Sequence, residues 1–302
     1  MAADPARTDA PAKINLALHV TGQRGDGYHA IETIAVFADI GDRIAAAPAA
    51  ADSLTITGPE AAALAGEDAD KNLVVRARDM LRRILAESGR SAPPVALTLE
   101  KHLPAGAGLG GGSADAAAAL RALTSLWDCA DLADTIGKRA AALGADVPMC
   151  LRSTPLVARG VGEILSPLSA LPAFPVVLVN PRVHVATPGV FAALRARENP
   201  PLPHDTVAPA RTVGDWADFL AASTRNDLQA AATSLAPQIG DCLAALGETD
   251  ALLARMSGSG ATCFGIYETA DHAGHAASRL LRRHSEWWIK TGMTGPSQAE
   301  QA

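Results

Sequence analysis

The chain has 302 residues, 48% of them apolar and 4% aromatic, with a net charge of −6. That length leaves room for two domains of about 150 residues each, burying roughly 75% of the unfolded surface. The negative charge opposes non-specific binding to a polyanion and few rings are available to stack on single strands, so no nucleic-acid partner is expected.

Cys129, Cys150, Cys242 and Cys263 form no C-x-x-C pair, which argues against a zinc site or a disulfide framework. The N-terminus lacks an apolar export core and no segment approaches the ~20 apolar residues of a membrane span, so the sequence predicts a cytoplasmic protein without membrane association. Only five of the 26 basic residues are lysine.

Residues 1–10 read as a disordered tail. From 12 to 20, apolar and polar residues alternate, with Ile14, Leu16, Leu18 and Val20 on one face and Lys13, Asn15 and His19 on the other, the pattern of a half-buried strand. A turn-rich stretch at 22–27 leads into a second strand pattern at 28–37, predicting an antiparallel pair. Residues 45–66 leave helix and strand open. Leu73, Ala77, Met80, Leu81, Ile84 and Leu85 recur at helical spacing within 71–87; Gly89 stops that helix, and Pro93 and Pro94 separate it from a strand at 95–99.

Residues 104–115 then pack five glycines between this strand and a helix over 113–127 that buries Leu120, Leu123 and Trp127. Such a loop suits phosphate: glycine permits positive φ and close approach, and the free N–H groups opening the next helix attract an anion. Gly106, Gly108 and Gly111 satisfy G-x-G-x-x-G, yet a dinucleotide unit needs a second parallel strand after the helix, and 128–143 is another helical pattern instead. A Walker A reading fails because Gly112 occupies the lysine position ahead of Ser113. A flexible linker seldom lies between a strand and a well-formed helix.

A second unit begins after Leu151, dividing the chain into domains at 11–152 and 153–302. It carries a strand at 156–159, a turn at 160–162 and an apolar run at 174–179. Thr187 and Pro188 read as an N-cap and first-turn proline opening a helix through 197. Residues 198–211 read as a loop and 213–220, 227–232 and 239–246 as helices. A glycine turn running into a strand at 255–267, a helix at 271–283 and a strand at 287–291 complete the chain. Hairpins mixed with helices, without regular βαβ alternation, predict an α+β fold.

Three segments, Pro11-Ala-Lys-Ile-Asn-Leu16, the loop at 104–115 and Ser257-Gly-Ser-Gly-Ala261, resemble the three motifs of the GHMP kinases, the family of galactokinase, homoserine kinase and mevalonate kinase. Within it, Thr21-Gly-Gln-Arg-Gly-Asp-Gly-Tyr-His29, Leu143-Gly-Ala-Asp-Val-Pro148 and Gly160-Val-Gly-Glu163 are similar to members whose acceptor is a cytidine diphosphate-linked polyol. The similarity runs from about 11 to 292. It implies a two-domain α+β fold, with a ribosomal protein S5 domain 2-like N-terminal domain and a ferredoxin-like C-terminal domain. Transfer of phosphate from ATP to an alcohol, with Mg²⁺, in a monomer or homodimer is also implied. A homoserine or mevalonate type of kinase, or a nucleotide-binding sensor, is the alternative; Tyr28 and His29 speak against the former, Lys13 and Asp146 against the latter.

The resemblance also assigns residues. Pro104, Ala105, Gly106, Ala107, Gly108, Leu109, Gly110, Gly111, Gly112, Ser113 and Ala114 would cradle the ATP phosphates, and Asn72, Leu73 and Lys101 would line the adenine pocket. Ser113 is read either as a helix cap or as a Mg²⁺ contact. Ala114 departs from relatives that carry a second serine. Asp146, whose bland role is an N-cap, falls at the family's catalytic base. A carboxylate is a weak base toward an alcohol unless a cation stabilises the alkoxide, the role implied for Lys13. Asn15, Tyr28, His29 and Phe191 are implied at the substrate, where the rings would stack on the base. Ser257, Gly258, Ser259 and Gly260 would form an anion-facing turn near its diphosphate, or a plain hairpin.

Overall fold

A computed structural model describes residues 6–66, 68–168, 171–203 and 212–295. In chain order its elements are β1 (Ala6–Gln23), β2 (His29–Pro48), β3 (Ser53–Thr57), α1 (Leu73–Glu87), β4 (Val95–Glu100), α2 (Gly111–Leu126), α3 (Ala133–Ala140), α4 (Val147–Arg152), β5 (Leu156–Gly160) and β6 (Ile164–Pro167). There follow β7 (Pro175–Asn180), α5 (Thr187–Ala192), α6 (Val213–Ser223), α7 (Gln229–Leu235), α8 (Gln238–Gly247), β8 (Leu253–Met256), β9 (Cys263–Ile266), α9 (Ala270–Arg283) and β10 (Trp288–Met293). None of the described helices is long and apolar enough to cross a membrane.

The chain forms two compact units that are not consecutive blocks of sequence. One comprises Met1–Ala12, Gly41–Ala105 and Gly110–Arg152; the other comprises Lys13–Ile40, Gly106–Leu109 and Ser153–Ala302. Residues 13–40 and 106–109 group with the later half of the chain.

In the first unit the C-terminal half of β2 runs antiparallel to β4, and β3 runs parallel to it. Alternation along β4 buries Val95, Leu97 and Leu99. α1 crosses over between β3 and β4, burying its stripe of Val74, Ala77, Leu81, Ile84 and Leu85. α2 packs against α1 and α4 through a run of alanines, whose small side chains let helices approach closely. Asp52, between β2 and β3, accepts two bonds from Arg82 on α1 (2.6 and 3.0 Å) and one from the Val95 N–H (3.0 Å), fastening helix to strand.

Of the tail expected at 1–10, residues 6–10 belong to β1, which begins at Ala6, and residues 1–5 lie outside the described residues. Its polar side chains hide a strand whose backbone is engaged. The Asp9 carbonyl accepts from Arg121 (2.7 Å), and Gly41 lies so close that a Cβ there would fall 2.3 Å from the Ala10 carbonyl oxygen.

In the second unit the first half of β2 is antiparallel to β5, and β5 to β6. A separate antiparallel sheet has the order β10-β7-β9-β8. With helices between β7 and β8 and between β9 and β10, this is the β-α-β-β-α-β arrangement of a ferredoxin-like domain. β7 is buried along its whole length, and Val177, Val179, Ile239, Leu246, Cys263, Leu280 and Ile289 share one core.

Three helix boundaries differ from expectation. α5 stops at Ala192 rather than 197, and its N-cap is Ala186, so Thr187 is the first helical residue. α2 begins at Gly111, because Gly110 takes the cap. Residues 128–143 break into a 3₁₀ turn at Ala130–Leu132 and α3. Of the predicted loop at 198–211, residues 204–211 lie outside the described residues.

Candidate active site

The two units carry different parts of the predicted site. In the first, the glycine loop enters α2 through Gly110, whose φ of 64° is left-handed and whose lack of a side chain leaves the helix without a side-chain cap. The first-turn N–H groups of α2 are therefore not claimed by a capping oxygen, which is the requirement for an anion site. Ser113 does not cap the helix, correcting one of its two readings. A Cβ on Gly144 would lie 3.7 Å from Ser113 Oγ, so the 144–146 turn passes beside the first turn of α2.

Asp146 directly precedes α4, and its carbonyl accepts from the Cys150 N–H (3.0 Å), the position of an N-cap residue. Its half-exposed side chain is two residues beyond Gly144.

Asn72 and Leu73 open α1. The Asn72 side chain caps that helix by accepting from the Val74 N–H (2.9 Å), and Leu73 Cδ1 would meet a Cβ on Gly112 at 3.5 Å. Lys101 is buried, its ammonium 2.5 Å from Asp42 Oδ2 and 2.6 Å from Asp115 Oδ2. The head group of this residue, expected to line the adenine pocket, thus faces carboxylates inside the protein. Burial works against a charged Lys101, but Asp115 and Asp42 outweigh it and raise the ammonium's pKa. Burial also drives the Asp115 carboxyl well above the usual range, with Lys101 pulling it down.

In the second unit, Lys13, Asn15 and His19 are all buried. β1 is not the half-buried strand that alternation predicts, because segments distant in sequence cover its polar face. The Lys13 N–H donates to the Leu109 carbonyl (2.9 Å), the Ser257 hydroxyl to the Gly108 carbonyl (3.0 Å), and the Thr262 N–H to the Ala107 carbonyl (3.1 Å). Three consecutive carbonyls of the glycine loop are thereby held. Gly106 and Gly108 have φ of 63° and 75°, and a Cβ on Gly108 would lie 2.5 Å from the Ser257 carbonyl oxygen.

Ser257 also accepts from the Asn15 N–H (3.1 Å), and the Asn15 amide donates to Thr33 (2.7 Å). Ser257 is fully buried and its hydroxyl is engaged on both sides, so it grips the loop's backbone. Asn226 fixes the same turn by donating to the Met256 and Gly258 carbonyls (2.8 Å each). Half-buried Ser259 exchanges a 2.7 Å hydrogen bond with Thr187, while Gly258 and Gly260 take positive φ.

Tyr28 is 67% exposed. His29 instead stacks on Phe191, ring centroids 4.8 Å apart at 23°. Phe191 also packs against the core of this unit. Burial, and then Arg197, lower the pKa of His29, leaving a neutral ring whose buried Nε2 has no hydrogen-bond partner among the described residues. Sequence reasoning missed Asp42, Asp115, Thr33, Asn226 and Thr262. Asp115 ends the glycine motif and was in plain view; the others carry no local signal.

The GHMP kinases N terminal domain matches residues 72–154 and the GHMP kinases C terminal domain matches 207–286. The chain is 50% identical over 285 residues to the 4-diphosphocytidyl-2-C-methyl-D-erythritol kinase of Agrobacterium fabrum (strain C58 / ATCC 33970), covering 94% of this chain and 95% of the relative. It is likewise 50% identical over 287 residues to the enzyme of that name from Rhizobium meliloti (strain 1021), with 94% of each covered. Among solved structures it is similar to a 4-(cytidine 5'-diphospho)-2C-methyl-D-erythritol kinase, at 34% identity and a TM-score of 0.77 over 96% of this chain and 99% of the other. The mevalonate kinase of Methanococcus jannaschii shares the fold, at 10% identity and a TM-score of 0.68 over 96% and 98%.

Proposed function

The chain belongs to the GHMP kinases, and from that membership we propose that it transfers the γ-phosphoryl group of ATP to the 2-hydroxyl of 4-diphosphocytidyl-2-C-methyl-D-erythritol. The products are the 2-phosphate and ADP, and the reaction is a step of the non-mevalonate isoprenoid pathway. Identity of 50% over 94% of the chain to kinases of that name supports the substrate over homoserine or mevalonate, whose kinases share the fold at 18% identity or less.

The observation that carries the chemistry is the uncapped start of α2 behind a left-handed Gly110, with the Gly144 turn against Ser113. Phosphoryl transfer needs an aligned triphosphate, charge neutralisation and a proton acceptor. Backbone N–H groups of 106–114 hold the phosphates. Asp146 accepts the acceptor hydroxyl's proton, and the Lys13 ammonium stabilises the alkoxide. Asn72 and Leu73 flank the adenine. Tyr28, His29 and Phe191 recognise the cytosine by stacking and by the unpartnered His29 nitrogen, while Asn15, Gly258, Ser259 and Gly260 border the diphosphate.

Among the described residues, no group of three or more His, Cys, Asp or Glu is arranged to hold a metal ion. Mg²⁺ would arrive with the nucleotide, since this ion keeps several waters and takes one or two protein oxygens beside phosphate. Ser113 offers a hard hydroxyl oxygen for it. When bound, the ion neutralises charge on the phosphate oxygens.

Purified protein with ATP and Mg²⁺ is offered the cytidylated methylerythritol, homoserine or mevalonate separately, and ADP release is followed. Release with the cytidylated acceptor alone is expected. Release only with homoserine or mevalonate rejects the substrate, and silence with all three rejects the kinase.

A further inference from the structure

Lys101, Asp42 and Asp115 form a buried cluster for which the proposed reaction has no step. The ammonium bonds both acids at 2.5 and 2.6 Å, and all three side chains are at most 4% exposed. The second oxygen of Asp42 accepts from the N–H groups of His102 (2.5 Å) and Leu103 (2.8 Å). Lys101 is tied through its own backbone as well: its N–H donates to the Thr57 carbonyl (2.7 Å), and its carbonyl accepts from the Glu60 N–H (3.1 Å). Asp115 lies in the second turn of α2. A Cβ on Gly111 would sit 3.3 Å from the ammonium and 3.7 Å from Asp42 Oδ2, so the cluster presses on the first turn of that helix.

Stability alone does not account for the arrangement. Taking an ion out of water costs several kcal/mol, and apolar residues of similar volume often serve as well or better. A cation under a helix N-terminus also opposes the helix dipole. What the cluster does achieve is geometric: one ammonium joins the strand exit at 101–103, through Asp42, to the start of α2, through Asp115. These are the two ends of the glycine loop.

We propose that Asp42, Lys101 and Asp115 are positioning residues that lock the two anchors of the phosphate loop in the register needed to bind ATP. The proposal rests on the kinase reading above. It separates Lys101 from direct nucleotide contact and makes ATP affinity, rather than acceptor affinity, the quantity the cluster controls.

Lys101→Met and the milder Asp42→Asn are compared with wild type in ADP-release kinetics and in calorimetric ATP binding, well below each variant's Tm. Hydrogen bonds to charged groups are worth enough that KM and Kd for ATP should rise about tenfold or more, while KM for the acceptor stays within about twofold. An ATP affinity within about twofold of wild type overturns the proposal, as does a parallel rise for both substrates. If Lys101→Met does not fold, Asp42→Asn decides by the same comparison. A wild type that binds ATP yet turns over no acceptor overturns the kinase reading instead, and the calorimetric comparison still decides the role of the cluster.

Discussion

A single hydroxyl shows how residues cooperate at a distance here. Ser257 donates to the Gly108 carbonyl and accepts from the Asn15 N–H, so the loop and the strand that carries Lys13 are held by one side chain. Alternation in 12–20 correctly separates Lys13 and Asn15 from the apolar face. It cannot reveal their burial, because the covering residues lie more than 90 or 240 positions away. Asp146 was legible only as an N-cap; the family motif, not its local pattern, singles it out as a base. Asp146→Asn keeps the shape of the side chain and removes the proton acceptor. Turnover should fall ~10²- to 10⁴-fold with ATP binding retained, checked by steady-state kinetics beside calorimetry. A near-normal rate would leave Asp146 as a cap alone.

At the scale of elements, the glycine loop was the most legible feature and the reason is steric. Gly108 and Gly27 share a positive φ, of 75° and 87°, but differ in surroundings. A Cβ on Gly108 would meet the Ser257 carbonyl oxygen at 2.5 Å and the Gly260 carbonyl oxygen at 2.7 Å, whereas one on Gly27 would meet nothing within 4 Å. Gly27→Ala should therefore lose only the ~1–2 kcal/mol of a left-handed residue. Gly108→Ala must also move the backbone of the 257–260 turn, and should lose more stability than that together with ATP binding. Urea midpoints and nucleotide titration of the two variants compare them directly. The helix limits were less legible: α5 ends five residues before its apolar pattern suggests, and α2 starts at a glycine because backbone conformation, not side-chain capping, sets its first turn.

For the whole molecule, composition and the mixed pattern of hairpins and helices give the α+β class, but not the way the chain is shared between its units. Residues 13–40 group with 153–302 because β2 pairs with β5 and the Leu18 carbonyl accepts from the Asp227 N–H, contacts without a local sequence signature. The sequence holds no C-x-x-C pair, and the four cysteines are buried and in no disulfide. Burial, followed by the charges of Asp241 and Glu286, pushes the Cys242 thiol from 9.0 up to about 12, and burial raises Cys263 well above its usual value. In the unfolded chain the Cys242 thiol loses its proton at the lower value, so the stability it contributes is full below about pH 9 and is lost as pH rises toward about 12. Urea midpoints should fall on the alkaline side, and Cys242→Ala should flatten that fall. An unchanged slope would show that the thiol is not what titrates.

The claim on which the account turns is that phosphate reaches an alcohol of the cytidylated acceptor. Phosphorus NMR of the protein with ATP, Mg²⁺ and 4-diphosphocytidyl-2-C-methyl-D-erythritol should show a new phosphomonoester signal growing in step with ADP, with the diphosphate signals of the acceptor intact. Growth of inorganic phosphate alone, or an unchanged spectrum while homoserine or mevalonate is phosphorylated, would contradict it.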